Sequence, residues 1–177
     1  DMARAQDYGF KNDPQAVLDT LAPWIQKGQA TADMFALAAE ALLSGNEVKT
    51  ALTAFQRAVE LQPENGNLHC RIGCTLLAQT RRPEAERSLR LAIALNADDS
   101  VARYWLAQLL RDEGRWAEAL EILVELLNEE PGNPGILTAL GDCYVTGGNI
   151  EQARSCYEGA LRINAGLADV AQRLLAT

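Results

Sequence analysis

Several things are scarce in this 177-residue sequence, and each scarcity excludes something. No apolar run approaches the roughly 20 residues of a bilayer span, so direct membrane insertion is not expected. No charged-then-apolar leader opens the chain, which predicts no signal peptide. Low-complexity tracts are missing, which argues against disorder. Positive charge is short: 16 Lys and Arg stand against 24 Asp and Glu, a net charge of −8. A nucleic-acid binder normally carries a basic stripe, so that class is excluded, and the acidic surface reads as solubility. Only four cysteines occur, Cys70, Cys74, Cys143 and Cys156. A chain this long and this apolar needs no disulfide staples, so they are read as thiols in a reducing compartment. The expected location is cytoplasmic, or periplasmic if a leader had been removed. Gly-rich phosphate loops, nucleophile–base triads and paired-carboxylate signatures are absent, so the chain is not expected to be an enzyme or to bind a cofactor.

What the sequence does have is a period. Ala51, Ala85, Ala119 and Ala153 recur at an interval of 34 residues. Placing them at position 20 gives units 32–65, 66–99, 100–133 and 134–167, without insertion or deletion. Position 8 is always small: Ala39, Gly73, Ala107, Gly141. Larger apolar residues hold position 7 (Ile72, Leu106, Leu140), position 11 (Leu42, Leu76, Leu110, Tyr144) and position 24 (Phe55, Leu89, Leu123, Tyr157). Positions 4, 7, 8 and 11 follow the spacing of one helical face, and positions 20, 24, 27 and 28 follow it again. Turn-forming residues lie between them. Gly114 and Gly148, both at position 15, suit a helix end that needs positive φ, and Pro83 suits a helix start. Each unit therefore predicts two antiparallel helices. Small residues at positions 8 and 20 are expected to face each other where the helices cross too closely for a larger side chain.

The 34-residue period, with Leu140, Gly141, Tyr144, Ala153, Tyr157 and Ala160 in the last unit, resembles the tetratricopeptide repeat family. The resemblance implies an all-α fold, a right-handed superhelical solenoid of antiparallel helix pairs. Position 4 departs from it, holding Phe35, His69, Arg103 and Leu137. Carried backwards, the frame makes residues 1–31 a partial repeat with Ala5, Tyr8, Val17, Leu21 and Trp24 on core positions, and places Asp1 within a helix. Pro23 predicts a kink or early stop there. Residues 168–177 start a further or capping helix. Neither end reads as a polar cap, so the chain is expected to be a piece of a longer polypeptide.

The resemblance further implies that positions 2, 5, 9, 12 and 13 of each first helix face a concave groove that binds a protein or peptide. The candidate partner-binding residues are Asn67, Cys70, Cys74, Tyr104, Gln108, Arg111, Thr138 and Asp142, with Tyr104 a rigid amphipathic anchor. Asp33, Glu40, Asp112 and Asp142 outnumber Arg111 on these positions, so a neutral or basic segment is favoured. Relatives that grip an acidic chaperone C-terminus use Lys at position 5 and Asn or Arg at position 9. Ala36, Glu40, Cys70, Cys74, Tyr104 and Gln108 stand there instead, which disfavours that partner.

His69, Cys70 and Cys74 invite a metal reading, but His69 points about 100° from the shared face of the two cysteines. Three ligands would not converge, no metal is assigned, and His69 is expected as a packed core imidazole. Cys143 and Cys156 are expected as small buried residues, and Trp105 and Trp116 as packing between repeats. The favoured function is a non-catalytic interaction scaffold. Two alternatives stand beside it: the recruiting arm of a larger enzyme or polysaccharide-export protein, and a self-assembly module.

Overall fold

The protein's structure, a computed structural model, describes residues 2, 5–6, 13–96 and 99–177. Asp1 and Tyr8, expected within a helix and on a core position, lie outside the described residues. Ten α-helices and no strand occur among the described residues, in two compact units, 1–99 and 100–177. The first unit holds α1 (Pro14–Gln26), α2 (Ala32–Ser44), α3 (Val48–Leu61), α4 (Gly66–Ala78) and α5 (Arg82–Leu95). The second holds α6 (Ser100–Asp112), α7 (Trp116–Glu129), α8 (Pro134–Thr146), α9 (Ile150–Ile163) and α10 (Ala168–Ala176). Helices α2 and α3, α4 and α5, α6 and α7, and α8 and α9 pack as pairs. Within the units, α4 also packs on α3, α8 on α7 and α10 on α9. Among the described residues, no helix is long and apolar enough to cross a membrane.

The core follows the 34-residue frame. Ala51, Ala85, Ala119 and Ala153 expose no surface, and Phe55, Leu89, Leu123 and Tyr157 are buried with them. Where position 8 is glycine, however, its nearest neighbour is position 24 and not position 20 as expected. A Cβ added to Gly73 would lie 2.7 Å from Leu89 Cγ, and one added to Gly141 would lie 2.4 Å from Tyr157 Cε1. The small residue makes room for the large one opposite it, so the crossing is a knob in a hole rather than two bare surfaces in contact.

The turn inside each pair repeats more faithfully than the sequence does. Position 15 has positive φ in all four repeats: Asn46 at 62°, Thr80 at 57°, Gly114 at 77° and Gly148 at 76°. At each turn the position-16 N–H donates to the position-11 carbonyl. These bonds are Glu47 to Leu42 (2.8 Å), Arg81 to Leu76 (3.0 Å), Arg115 to Leu110 (2.8 Å) and Asn149 to Tyr144 (2.8 Å). This closes the helix end in the six-to-one pattern that a left-handed residue makes possible. Thr80 holds that conformation without glycine's freedom, and its Oγ1 donates to the Gln79 carbonyl at 2.6 Å.

Four expectations need correction. Helix α1 does not stop at Pro23 but runs on to Gln26. Asp19 and Pro23 are both exposed, so the carbonyl that the proline deprives of its donor is left to water. Trp24 is exposed rather than core. His69 is half-buried rather than packed in the core, and its Nε2 lies 2.8 Å from the Pro63 carbonyl. Trp105 is 41% exposed, with Tyr104 edge-on to it at 5.9 Å between ring centroids. Trp116 does pack between repeats: its ring lies against Gly147, where an added Cβ would be 3.0 Å away. Arg103, at the irregular position 4, is buried and makes a two-pronged ion pair with Glu129, Nη1 to Oε1 at 2.8 Å and Nη2 to Oε2 at 2.5 Å.

Candidate functional site

In the second unit, the first helices α6, α8 and α10 present one continuous lining. Tyr104, Gln108 and Arg111 recur along α6 at spacings of four and three residues, so they share a face. Thr138 and Asp142 do the same on α8. Together with Val170 and Arg173 of α10 they line a depression of about 320 Å³. Five of the eight residues assigned from the sequence are thus brought together. Two further depressions adjoin it. One, of about 390 Å³, shares Tyr104 and Gly135 and is walled by Val101, Trp105 and Ile136. The other, of about 410 Å³, shares Arg111, Asp142 and Arg173.

The remaining three assigned residues sit on α4 in the first unit. Asn67 is exposed and Cys74 half-buried. Cys70 is only 3% exposed, which corrects its assignment to a partner-contacting surface. The neighbouring Cys74 side chain, followed by burial, pushes the Cys70 thiol well above its ordinary range, while Cys70 draws the Cys74 thiol below its own. In the second unit burial pushes the Cys143 thiol up to about 11. Cys143 is fully buried and Cys156 half-buried, and all four cysteines are free.

Asp142 organises the polar end of the lining. Its Oδ1 accepts from the buried Tyr157 hydroxyl at 2.8 Å, and its Oδ2 accepts from Arg111 Nη1 at 3.0 Å and from Arg173 Nη1. Arg111 also donates through Nη2 to Asp112 at 2.7 Å. Burial first, and then the bond to Asp142, raise the Tyr157 phenol well above its ordinary range. The bond to Asp142 likewise raises Arg173. One carboxylate therefore ties α6, α8, α9 and α10 together. It also changes the electrostatics expected of this surface. Arg111 and Arg173 balance Asp142 and Asp169 around the main depression, so the acidic excess counted along the sequence is not concentrated there.

Arg173 was missed by sequence reasoning. It lies at position 6 of the repeat that α10 begins, one residue beyond the groove position, and only its long side chain carries it to Asp142. Gly135 stands at position 2, one of the groove positions, though it is not among the eight candidates; Val170, at position 3, was missed because it is a buried core residue that also floors the depression.

Two models of the tetratricopeptide repeat family match residues 70–134 and 110–177, together covering 70–177. The TPR repeat-containing protein PA4667 of Pseudomonas aeruginosa is 29% identical over 133 residues, which cover 73% of this chain and 22% of that protein. Protein O-mannosyl-transferase Tmtc3 of Drosophila melanogaster is 29% identical over 106 residues, 59% of this chain and 11% of that protein. The chain thus corresponds to a small part of the length of either relative. Among solved structures, YrrB, described as a TPR protein with an unusual peptide-binding site, has a TM-score of 0.82 at 22% identity, covering 98% of this chain and 89% of its own. MamA from Desulfovibrio magneticus RS-1 has a TM-score of 0.83 at 18% identity, covering 93% of each chain. At such identities the two structures speak to the fold alone.

Proposed function

The chain belongs to the tetratricopeptide repeat family, and from that premise we propose that it is a non-catalytic scaffold whose second unit holds an extended peptide segment of a partner protein. The segment runs along α6 and α8, over Tyr104, Gln108 and Thr138. The observation that carries this reading is the half-exposed Tyr104 between two depressions, with an apolar wall on one side and a self-neutralised polar cluster on the other. A rigid aromatic side chain loses little entropy on contact and offers both a ring face and a hydroxyl. Gln108 and Thr138 add hydrogen-bonding groups at backbone reach of an extended chain. The balanced charges favour a neutral segment over a strongly charged one. YrrB, similar in fold, has a peptide-binding site, which is consistent with this use of the fold.

The test is selection of a displayed random-peptide library on the wild-type chain. Recovered peptides are then measured on wild type and on a Tyr104→Ala, Gln108→Ala double variant. Each truncated anchor is expected to cost on the order of 1–2 kcal/mol, so binding falls by about tenfold or more while helix content is unchanged. Equal affinity for both proteins refutes the site.

A second reading is favoured by the match to part of an O-mannosyl-transferase. In it the same surface recruits a substrate or partner for chemistry carried elsewhere in a longer protein. It is distinguished by attaching the neighbouring segments of the natural protein and asking whether the double variant lowers turnover.

A further inference from the structure

The depression on the apolar side of Tyr104 carries a charge pattern of its own. It lies between the first turns of α6, the end of α7 and the start of α8, and has a volume of about 390 Å³. Ligand pockets run from about 300 to 1,000 Å³, so this one suits a single long side chain rather than a folded element. Its walls are Val101, Tyr104, Trp105, Leu126 and Ile136. Val101 and Trp105 are 54% and 41% exposed, so apolar surface is open to a guest. Glu130 is the one charged residue in the lining. Its Oε2 accepts from Asn133 Nδ2 at 2.8 Å, which fixes the carboxylate at the rim. Among the described residues it forms no ion pair. Helix α7 ends beside it at Glu129 with no basic residue in the last turn, so the negative end of the helix dipole reaches the same rim. The N–H groups that open α8 are already taken, because Asn133 Oδ1 accepts from Gly135 at 2.9 Å and from Ile136 at 3.4 Å. An anion would face Glu130 there without those donors.

From this lining we propose that the depression takes one long basic side chain, lysine or arginine, of an otherwise neutral peptide segment, and so sets the specificity of the surface. The inference rests on the peptide reading above and names the residue that the segment must carry. The methylene stem lies on Val101, Leu126 and Ile136 while the charged head stays at the rim, as long basic side chains do on apolar surfaces. The head meets the Glu130 carboxylate and the Trp105 ring, whose face attracts cations. A wholly apolar side chain would fill the same walls, but it would take water from Glu130 without pairing it. Charge complementarity therefore decides between the two guests. The chain's net charge of −8 adds long-range attraction for such a segment.

The experiment uses the peptides recovered from the random-peptide selection. They should share a lysine or arginine at one position. Each is measured by calorimetry with that residue kept and with it replaced by norleucine, which preserves the stem and removes the charge. On wild type the replacement should weaken binding by about 3–10-fold. The difference should shrink on Glu130→Gln and on Trp105→Leu, and stay intact on Glu125→Gln, which removes an exposed charge of α7 outside the depression. Recovered peptides without a shared basic residue, or a Glu130→Gln variant that keeps the full difference, overturn the proposal. If those same peptides still lose affinity on the Tyr104→Ala, Gln108→Ala double variant, the peptide surface itself stands and only its specificity was misassigned. Peptides indifferent to the double variant overturn both.

Discussion

Gly141→Ala adds one methyl group to a place where the Tyr157 ring already stands. The added Cβ would lie 2.4 Å from Tyr157 Cε1, 2.7 Å from Cδ1 and 2.9 Å from Cζ. Carbon atoms in contact prefer about 3.5–4.0 Å, so ring or backbone must shift by about 1 Å. The ring has little freedom to do so. It is 2% exposed, and its hydroxyl is held by Asp142 at 2.8 Å. Overpacking of this kind costs about 1–3 kcal/mol, against which alanine's better helix propensity returns up to about 1 kcal/mol. The net expectation is a loss of about 1–2 kcal/mol in urea unfolding followed by far-ultraviolet circular dichroism. Gly159→Ala is the control, because it is also a glycine inside a helix, α9. There an added Cβ meets Leu137 Cδ1 at 3.6 Å, an ordinary contact. That variant should gain about 0.5–1 kcal/mol. Opposite signs for the two substitutions are the signature of the tight crossing. A Gly141→Ala variant as stable as wild type would refute the reasoning that position 8 is small to admit position 24.

Thr80→Gly should stabilise the chain by about 0.5–1 kcal/mol, since a β-branched residue in the left-handed region costs about 1–2 kcal/mol and glycine returns part of that in entropy; a destabilised variant in the same urea assay would contradict the strain. Asp142→Asn removes the charge that pairs with Arg111 and Arg173, and should cost about 1–3 kcal/mol, with α10 losing amide protection first in hydrogen exchange; protection of α10 equal to wild type would contradict its anchoring by Asp142. The Cys143 thiol is raised to about 11 in the folded chain, from about 8.5 in an unfolded one. Its contribution is therefore complete below about pH 8.5 and lost as pH rises through about 11, because the unfolded state gives up the proton first. The urea midpoint should fall across that window less steeply in Cys143→Ala than in wild type, and parallel curves would contradict this.

Periodicity made the helices legible because each buried face repeats in register. Ala51 through Ala153 occupy fully buried positions for the same reason. The left-handed turn residue was visible where it is Gly114 or Gly148, and hidden where it is Asn46 or Thr80. Those residues pay for the conformation with strain that no sequence pattern reports. The identity of the residue opposite position 8 was misread because a register fixes which face is buried, not which side chain is met across it. On α6 and α8 the surface residues could be named, since the frame places Tyr104, Gln108, Arg111, Thr138 and Asp142 together. Their charge balance could not be, because Arg173 reaches the cluster only through the length of its side chain. Cys70 shows the complementary failure: the position that lines the depression as Tyr104 and Thr138 is buried here.

The central claim is that a peptide lies along α6 and α8 of the second unit, and an amide-resolved NMR titration of the chain with a library-selected peptide tests it most directly. The account predicts that the largest shift changes fall at Tyr104, Gln108 and Thr138, with the exposed faces of α7 and α9, marked by Val124 and Glu158, left unmoved. Changes centred on Val124 and Glu158, with Tyr104 and Gln108 undisturbed, would contradict it.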